Sequence, residues 1–229
     1  SPFDPHYLEP ENPTPSDTPP TQASYNLKGK EWQKIDYDWL QSGGSLALRM
    51  NSKTNNLSLA IAIEFEDSGR VMLFPGDAEY GSWASWHDIQ WNLPSRNGKP
   101  HFTQDLLSRT VFYKVAHHLS HNGTAKRLGL EMMEDKDLVA MATLDYDVIS
   151  SGWTGTMPNR DIVRDLIRKT KGRLMIMNTD NLFLDFNNQE PLIDKIKDGR
   201  KNMSKKEADE FKKYLKETEL YIQYTVKGK

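Results

Sequence analysis

The chain has 229 residues, a mass of 26.4 kDa and a net charge of −2, enough for one large domain or two small ones. This charge gives no electrostatic case for general nucleic-acid binding. The absence of cysteine excludes disulfides and thiolate metal sites, and no apolar run approaches the roughly 18 residues of a membrane span.

Residues 1–23 carry seven of the twelve prolines, among Ser, Thr, Asp and Glu. Such a composition cannot bury enough apolar surface to offset its ordering entropy, so we predict a Pro-rich linker or surface loop. Because the chain begins with Ser1, we expect either that an initiator or leader was removed or that a longer protein precedes it. No signal-peptide pattern is present, and we expect a cytoplasmic location.

Residues 29–44 predict either a short helix or an irregular aromatic segment that stops at two glycines. Apolar residues then alternate with small or polar ones from Leu57 to Phe65, which is the period of a strand. Residues 66–70 predict a hairpin turn into a short apolar strand at 71–74.

Strands and helices alternate in the remainder of the chain, which favours a mixed α/β layered fold. One helix has a capping box formed by Ser204 and Glu207. The predicted helices are residues 79–91, 103–109, 125–133, 159–172 and 204–219. The predicted strands are residues 45–50, 57–65, 71–74, 110–116, 137–143, 173–178, 182–186 and 220–226.

Two of the predicted strands end in groups that bind metals. Gly76 and Asp77 follow the strand at 71–74, and three of the six histidines, His117, His118 and His121, follow the strand at 110–116. The carboxyl edge of an α/β sheet is where sites form, and carboxylate with imidazole suits zinc or manganese. The alternative is turn chemistry at Gly-Asp and a solvated strand end at the histidines. One Asp with one or two His is too few for a catalytic zinc, which takes three protein ligands.

The order of these motifs resembles the C-terminal half of a metallo-β-lactamase-fold hydrolase. The likeness is to the branch that includes DNA-uptake-channel hydrolase domains and phosphorylcholine esterases, and it covers about residues 45–185. That branch has a motif order of N-x-x-S-L, G-D, K-V-x-H-H-G-S, S-x-G, H-P and T-D. The corresponding residues here are Asn56–Leu59, Gly76–Asp77, Lys114–Ser120, Ile149–Gly152, Met157–Pro158 and Thr179–Asp180.

The resemblance implies a four-layer αββα sandwich with a site for two divalent metal ions, zinc or manganese, along one edge. Asp77 would bridge both metals, His118 would be a terminal ligand, and His117 and His121 would be catalytic groups facing the substrate. A metal-bound hydroxide would attack a phosphodiester or related ester of a small molecule. The implied substrate-binding residues are Ser120, Asn122, Thr124 and Trp83.

The sequence departs from this family pattern in three places. The first ligand cluster, H-x-H-x-D-H, is absent, so its partner would be an N-terminal half of the same protein that carries that motif. Leu119 replaces a glycine, and Met157 replaces a histidine. Residues 24–229 would then be the C-terminal half of the domain, with a charged helix and strand at 192–229. The alternative is a non-catalytic relative that uses the fold as a binding module.

Three further features have two interpretations each. The aromatic group around Trp83 is either core or a wall that stacks against a substrate; its members are Tyr80, Trp83, Trp86 and Trp91. Residues 151–156 are either a substrate loop or plain turn chemistry. The basic excess after residue 191 is either a solvated helix face or a weak polyanion contact. We predict surface or structural roles for His6, His87 and His101.

Overall fold

The apolar runs of the sequence build a five-stranded mixed sheet with the strand order β1-β2-β5-β6-β7. A computed structural model of the protein describes residues 58–96, 99–144, 157–177, 182–185 and 190–228. The predicted mixed α/β class is confirmed. The strands of this sheet are β1 (Ile61–Glu64), β2 (Val71–Phe74), β5 (Thr110–Lys114), β6 (Val139–Ala142) and β7 (Leu174–Ile176).

The predicted hairpin at residues 66–70 is confirmed. It makes β1 antiparallel to β2, with Ile61 opposite Phe74, and Gly69 supplies the positive φ of 73° in its turn. The other pairings, β2 with β5, β5 with β6 and β6 with β7, are all parallel. These four strands therefore end at one side of the sheet, the carboxyl edge, and begin at the other, the amino edge.

One face of the sheet packs on helices, and we call it the helix-packed face. Its core includes Leu73, Tyr113, Ala140 and Leu174 from the strands. The main cover is helix α3, whose Ile162, Val163 and Leu166 are fully buried. Among the described residues before β5, the helices are α1 (Tyr80–Trp86) and α2 (Thr103–Ser108), and α3 spans Arg160–Thr170.

The opposite face, the hairpin-packed face, carries Met72, Phe112, Val139, Met141 and Met175. These side chains pack on a C-terminal helix and hairpin through Phe211, Leu215, Ile222 and Tyr224. The elements of this region are α4 (Leu192–Arg200), α5 (Lys205–Tyr214), β10 (Leu215–Glu217) and β11 (Ile222–Tyr224). The capping box at Ser204 and Glu207 is confirmed.

Several predicted boundaries are wrong. The helix after Asp77 ends at Trp86, and the following residues form an antiparallel pair, β3 (Gln90–Arg96) with β4 (Lys99–Phe102). The C-terminal helix ends at Tyr214, because the next residues pair with β11 as β10. A further small pair joins β8 (Phe183–Asp185) to β9 (Glu190–Pro191).

The helix predicted at residues 125–133 is also wrong, and only a 3₁₀ turn, Leu130–Met132, forms there. The break is at Gly129, which lies so close to Trp83 that a Cβ would fall 2.8 Å from the indole ring. Helix formation is overridden here by packing.

In the part of the chain that the structure describes, no helix is both long and apolar enough to cross a bilayer. The described residues from 58 onward belong to one compact unit of the chain. The segments predicted at residues 1–23, 29–44, 45–50 and 151–156 lie outside the described residues, as do Thr179 and Asp180.

Candidate functional site

The carboxyl edge brings together the two motifs that the sequence placed after β2 and β5. These strands are parallel neighbours, so their ends are adjacent. The backbone N–H of His117 donates to the carbonyl oxygen of Gly76 at 3.1 Å, which joins the two turns directly. Gly76 has φ 60°, and a Cβ there would lie 3.1 Å from the carbonyl oxygen of Leu59. Only glycine accommodates both constraints without strain.

The position of Asp77 is fixed by its backbone. Its N–H donates to Oγ of Ser58 at 2.9 Å, so the serine that precedes β1 holds the turn that follows β2. The carboxylate is half-buried and close enough to Lys114 for its charge to raise the pKa of that ammonium, against the larger lowering by burial. A half-buried carboxylate at this edge can still accept a ligand.

The histidine turn, Ala116–Leu119, has an unusual backbone. His117, His118 and Leu119 have φ values of 42°, 51° and 64°, three consecutive non-glycine residues in the left-handed region. Each costs about 1–2 kcal/mol relative to a right-handed conformation. Strain of this kind persists only where the surroundings over-determine the backbone, and it concentrates at functional sites.

Leu119 shows how the turn tolerates a residue where the family resemblance expects glycine. The leucine keeps the left-handed backbone, and its side chain is fully buried in the core. Its carbonyl oxygen accepts a hydrogen bond from Asn159 N at 2.9 Å, and the Asn159 side chain caps α3. Burial of the leucine side chain therefore offsets part of the backbone cost.

His118 is exposed, and its ring is held on one side. Nδ1 lies 3.0 Å from the carbonyl oxygen of Thr143 and 3.1 Å from the Oγ1 of the same residue. A carbonyl oxygen only accepts, so this contact places a proton on Nδ1, and in the neutral ring Nε2 is then the acceptor. Metal-binding histidines typically donate their second ring N–H to a carbonyl in this manner.

His117 is half-buried, and its Nδ1 is buried without a hydrogen-bond partner among the described residues. Buried polar atoms are rarely left in this state, and each calls for an explanation. His121 is half-buried in the following turn. The two predicted catalytic imidazoles thus lie in one loop.

Hydrogen bonds to three buried side chains hold the loop that follows the histidine turn. Asn122 Nδ2 donates to Oε1 of the buried Glu79 at 3.0 Å, and Nε1 of Trp83 donates to the carbonyl oxygen of Gly123 at 2.8 Å. Thr124 Oγ1 lies 2.9 Å from the hydroxyl of Tyr113, whose pKa burial raises to about 12. These contacts fix the loop that carries the histidines.

This bracing bears on the predicted substrate-binding residues. Trp83 is 0% exposed and Thr124 is 1% exposed; both lie beneath the loop, which favours the packing interpretation over the stacking wall. Ser120 and Asn122 are buried as well, at 6% and 8% exposure, and Asn122 Oδ1 has no hydrogen-bond partner among the described residues. Of the four, we retain only Asn122 as a residue with an unused polar atom at the site.

The donors present fit part of a metal site. Asp77 and His118 offer one carboxylate and one imidazole ring at adjacent strand ends. Among the described residues no group of three His, Cys, Asp or Glu side chains is placed to hold a metal ion. A catalytic zinc takes three protein ligands, so further ligands from outside this set are needed.

Two members of this edge were not predicted as site residues. Lys114 Nζ donates to Oγ1 of Thr143 at 3.2 Å, and Thr143 contacts His118. A lysine at the end of an otherwise apolar strand was the available signal for the first; nothing in the sequence marks Thr143, because its contact spans 25 residues. The structural roles predicted for His101 and His87 are confirmed: His101 pairs with Asp105 at 2.9 Å, and His87 contacts the carbonyl oxygen of Leu128 at 2.8 Å. His6 lies outside the described residues.

Comparison with known protein families, curated proteins and solved structures finds no match to this chain. The residues of the carboxyl edge therefore carry the evidence for function.

Proposed function

We propose that this chain is part of a metal-dependent hydrolase of metallo-β-lactamase type that cleaves a phosphodiester or related ester. The observation that carries this proposal is the state of His118. Its Nδ1 lies 3.0 Å from the Thr143 carbonyl oxygen, and the residue is exposed. The turn that carries it is joined to the turn of Asp77 by the hydrogen bond from His117 N to the carbonyl oxygen of Gly76. An oriented imidazole and a carboxylate at adjacent strand ends are two of the ligand types that zinc and manganese hydrolases use.

The partly exposed apolar face of the sheet supports the proposal that this chain is half of an αββα sandwich. Helices cover one face, whereas the other carries apolar side chains that are only partly covered. On β1, Ile61 and Ile63 lie on the hairpin-packed face with Met72 and Phe74, and are 42% and 44% exposed. An apolar sheet face of this kind is suited to pack against a second sheet. The proposed N-terminal half, with its H-x-H-x-D-H motif, would supply that sheet and the missing ligands.

In this proposal two divalent cations, when bound, supply an activated water and stabilise the charge that develops on the attacked phosphorus. Asp77 would bind both cations and His118 would bind one through Nε2. His117 and His121 would orient the substrate and exchange a proton with one of its oxygens. The Ser58 hydroxyl and the Thr143 carbonyl would keep Asp77 and His118 oriented, as partners of metal ligands do.

The second candidate is a binding module without metal. It is favoured by the incomplete ligand set of the described residues and by Leu119 and Met157 at positions where the resemblance expects Gly and His. We prefer the hydrolase, because the strained backbone of the histidine turn persists with its imidazoles in place. A module that does not use these groups gains nothing from that strain.

The test is metal content and hydrolysis of bis-p-nitrophenyl phosphate by the full-length polypeptide that contains this chain. We expect about two metals per molecule, and we expect Asp77→Ala and His118→Ala to lower metal content and to reduce hydrolysis by a factor of at least about 100. Asp88→Ala is the matched control, since Asp88 is an exposed carboxylate after α1. Metal-free, inactive full-length protein would instead establish the binding module.

A further inference from the structure

Lys114 and His118 converge on one oxygen at the carboxyl edge. Nζ of Lys114 donates to Thr143 Oγ1 at 3.2 Å, and Nδ1 of His118 lies 3.1 Å from the same atom. Lys114 is the last residue of β5, and Thr143 follows the end of β6, the next strand of the sheet. An ammonium group is therefore held beside the proposed metal-binding imidazole by the fold of the sheet.

The side chain of Lys114 is half-buried among apolar neighbours. In the register of the sheet Lys114 pairs with Met141, on the hairpin-packed face, where its neighbours on the strands are Phe112, Val139 and Met175. Burial lowers the pKa of Lys114, which indicates that the site disfavours the charged form. A charge in such surroundings is retained where it has a partner.

Few of the described residues stabilise the charge of the Lys114 ammonium group. Its hydrogen bond within the described part of the chain goes to the neutral hydroxyl of Thr143. The nearby charge of Asp77 opposes the effect of burial, but it does so from beyond ion-pair distance. If Asp77 binds the cations of the proposed site, its charge is engaged by them, and the ammonium group has two N–H donors left for another anion.

We propose that Lys114, with Thr143, forms the subsite that receives an anionic oxygen of the substrate. This inference rests on the proposed hydrolase function and names its substrate class as a phosphodiester monoanion. A lysine ammonium binds phosphate as a compact point charge, and the Thr143 hydroxyl can donate a second hydrogen bond. The subsite selects charged esters over neutral ones, because a neutral ester leaves the ammonium group unpaired.

The experiment compares two substrates with the same chromophore in the full-length protein. Bis-p-nitrophenyl phosphate is an anion, and p-nitrophenyl acetate is neutral. We expect Lys114→Met to raise KM for the phosphodiester about tenfold, as loss of a charge-assisted hydrogen bond does. For the acetate we expect kcat/KM to stay within about twofold, with unchanged metal content. Lys114→Arg should restore most of the phosphodiester KM, because it retains the charge.

Two further variants sharpen the result. Thr143→Val should raise the phosphodiester KM about threefold, since it removes one hydroxyl donor but not the ammonium group. Lys206→Met makes the same chemical change at an exposed lysine of α5 and should change neither substrate. The inhibition constant of inorganic phosphate should rise in Lys114→Met but not in Lys206→Met.

Three outcomes would overturn the proposed Lys114 subsite, and they differ in what they imply for the hydrolase proposal. Equal losses on both substrates with loss of metal would make Lys114 a support of the metal site and overturn the subsite. An unchanged KM for the phosphodiester in Lys114→Met would overturn it as well, with the hydrolase proposal intact. A full-length wild-type protein that holds no metal and cleaves neither ester would overturn both proposals together.

Discussion

The two edges of the sheet differ in how their polar groups are satisfied. At the amino edge, Arg70 pairs with Asp137 at 3.1 Å and Lys171 with Glu207 at 2.6 Å. The buried Arg173 donates to the backbone carbonyl oxygens of Thr170 and Lys136. At the carboxyl edge, three consecutive residues of the histidine turn have a positive φ. A ring nitrogen of His117 is buried without a hydrogen-bond partner among the described residues, and His118 is exposed.

This contrast assigns different roles to the two edges of one sheet: the amino edge stabilises the fold, and the carboxyl edge carries the candidate site. Ion pairs and hydrogen bonds at the amino edge connect α5 and the residues after β11 to residues that precede the strands. The charged side chains Arg70 and Lys171 have carboxylate partners, and Arg173 has backbone carbonyl partners. The carboxyl edge has three consecutive non-glycine residues with positive φ, against one, Lys171, in the described part of the amino edge. It also has buried polar atoms without a hydrogen-bond partner among the described residues, and both features concentrate at functional sites. Substitutions at the first edge should therefore change unfolding, and substitutions at the second should change binding.

The largest expected effect is at the amino edge. Gly172, after α3, has φ 75°, and a Cβ there would clash with the backbone nitrogen of Arg200. Because the clash is with backbone, we expect Gly172→Ala to lower the free energy of unfolding by about 3 kcal/mol or more in urea titrations. Gly81→Ala in α1 is the control, since a Cβ there meets nothing within 4 Å. Equal free energies of unfolding for Gly172→Ala and Gly81→Ala would contradict the expectation that a Cβ at residue 172 destabilises the fold.

A smaller effect of opposite sign is expected at the carboxyl edge. His118 is exposed with φ 51°, so His118→Gly should relieve strain and raise the free energy of unfolding by about 1 kcal/mol. His118→Ala keeps the Cβ and should give no such gain. Both variants should lose metal. A destabilised glycine variant would show that the turn is not strained, and would remove that support for a functional edge.

The smallest effect is a pH dependence at the amino edge. Hydrogen bonds from Lys171 and from the backbone N–H of Ser204 lower the pKa of Glu207 to about 2. A lowered folded-state pKa contributes stability above the ordinary carboxyl value and loses it as pH falls through the folded value. Between about pH 4.5 and pH 2, Glu207→Gln should therefore show a shallower fall of Tm than wild type. Parallel Tm curves would indicate that these partners do not act on Glu207 in solution.

The sequence alone located the carboxyl edge, because Asp77 and His118 follow short apolar strands and such strands end at a common edge. It also placed the hairpin at Gly69 and the capping box at Ser204, which depend on residues close in the chain. Local patterns were sufficient in these cases.

Other features depend on contacts between distant residues. The helix predicted at residues 125–133 fails because Gly129 packs against Trp83, and the C-terminal helix stops at Tyr214 because β10 pairs with β11. The role of Thr143 requires knowledge that β5 and β6 are neighbours. Propensity carries no information about such partners.

The central claim is that Asp77 and His118 are ligands of one metal site, and anomalous diffraction at the zinc edge from crystals of the full-length protein tests it most directly. We predict a peak at roughly 2.0–2.2 Å from both His118 Nε2 and an Asp77 carboxylate oxygen, with Nδ1 of His118 still on the Thr143 carbonyl oxygen. A zinc-soaked crystal with no peak between these two side chains would contradict the account.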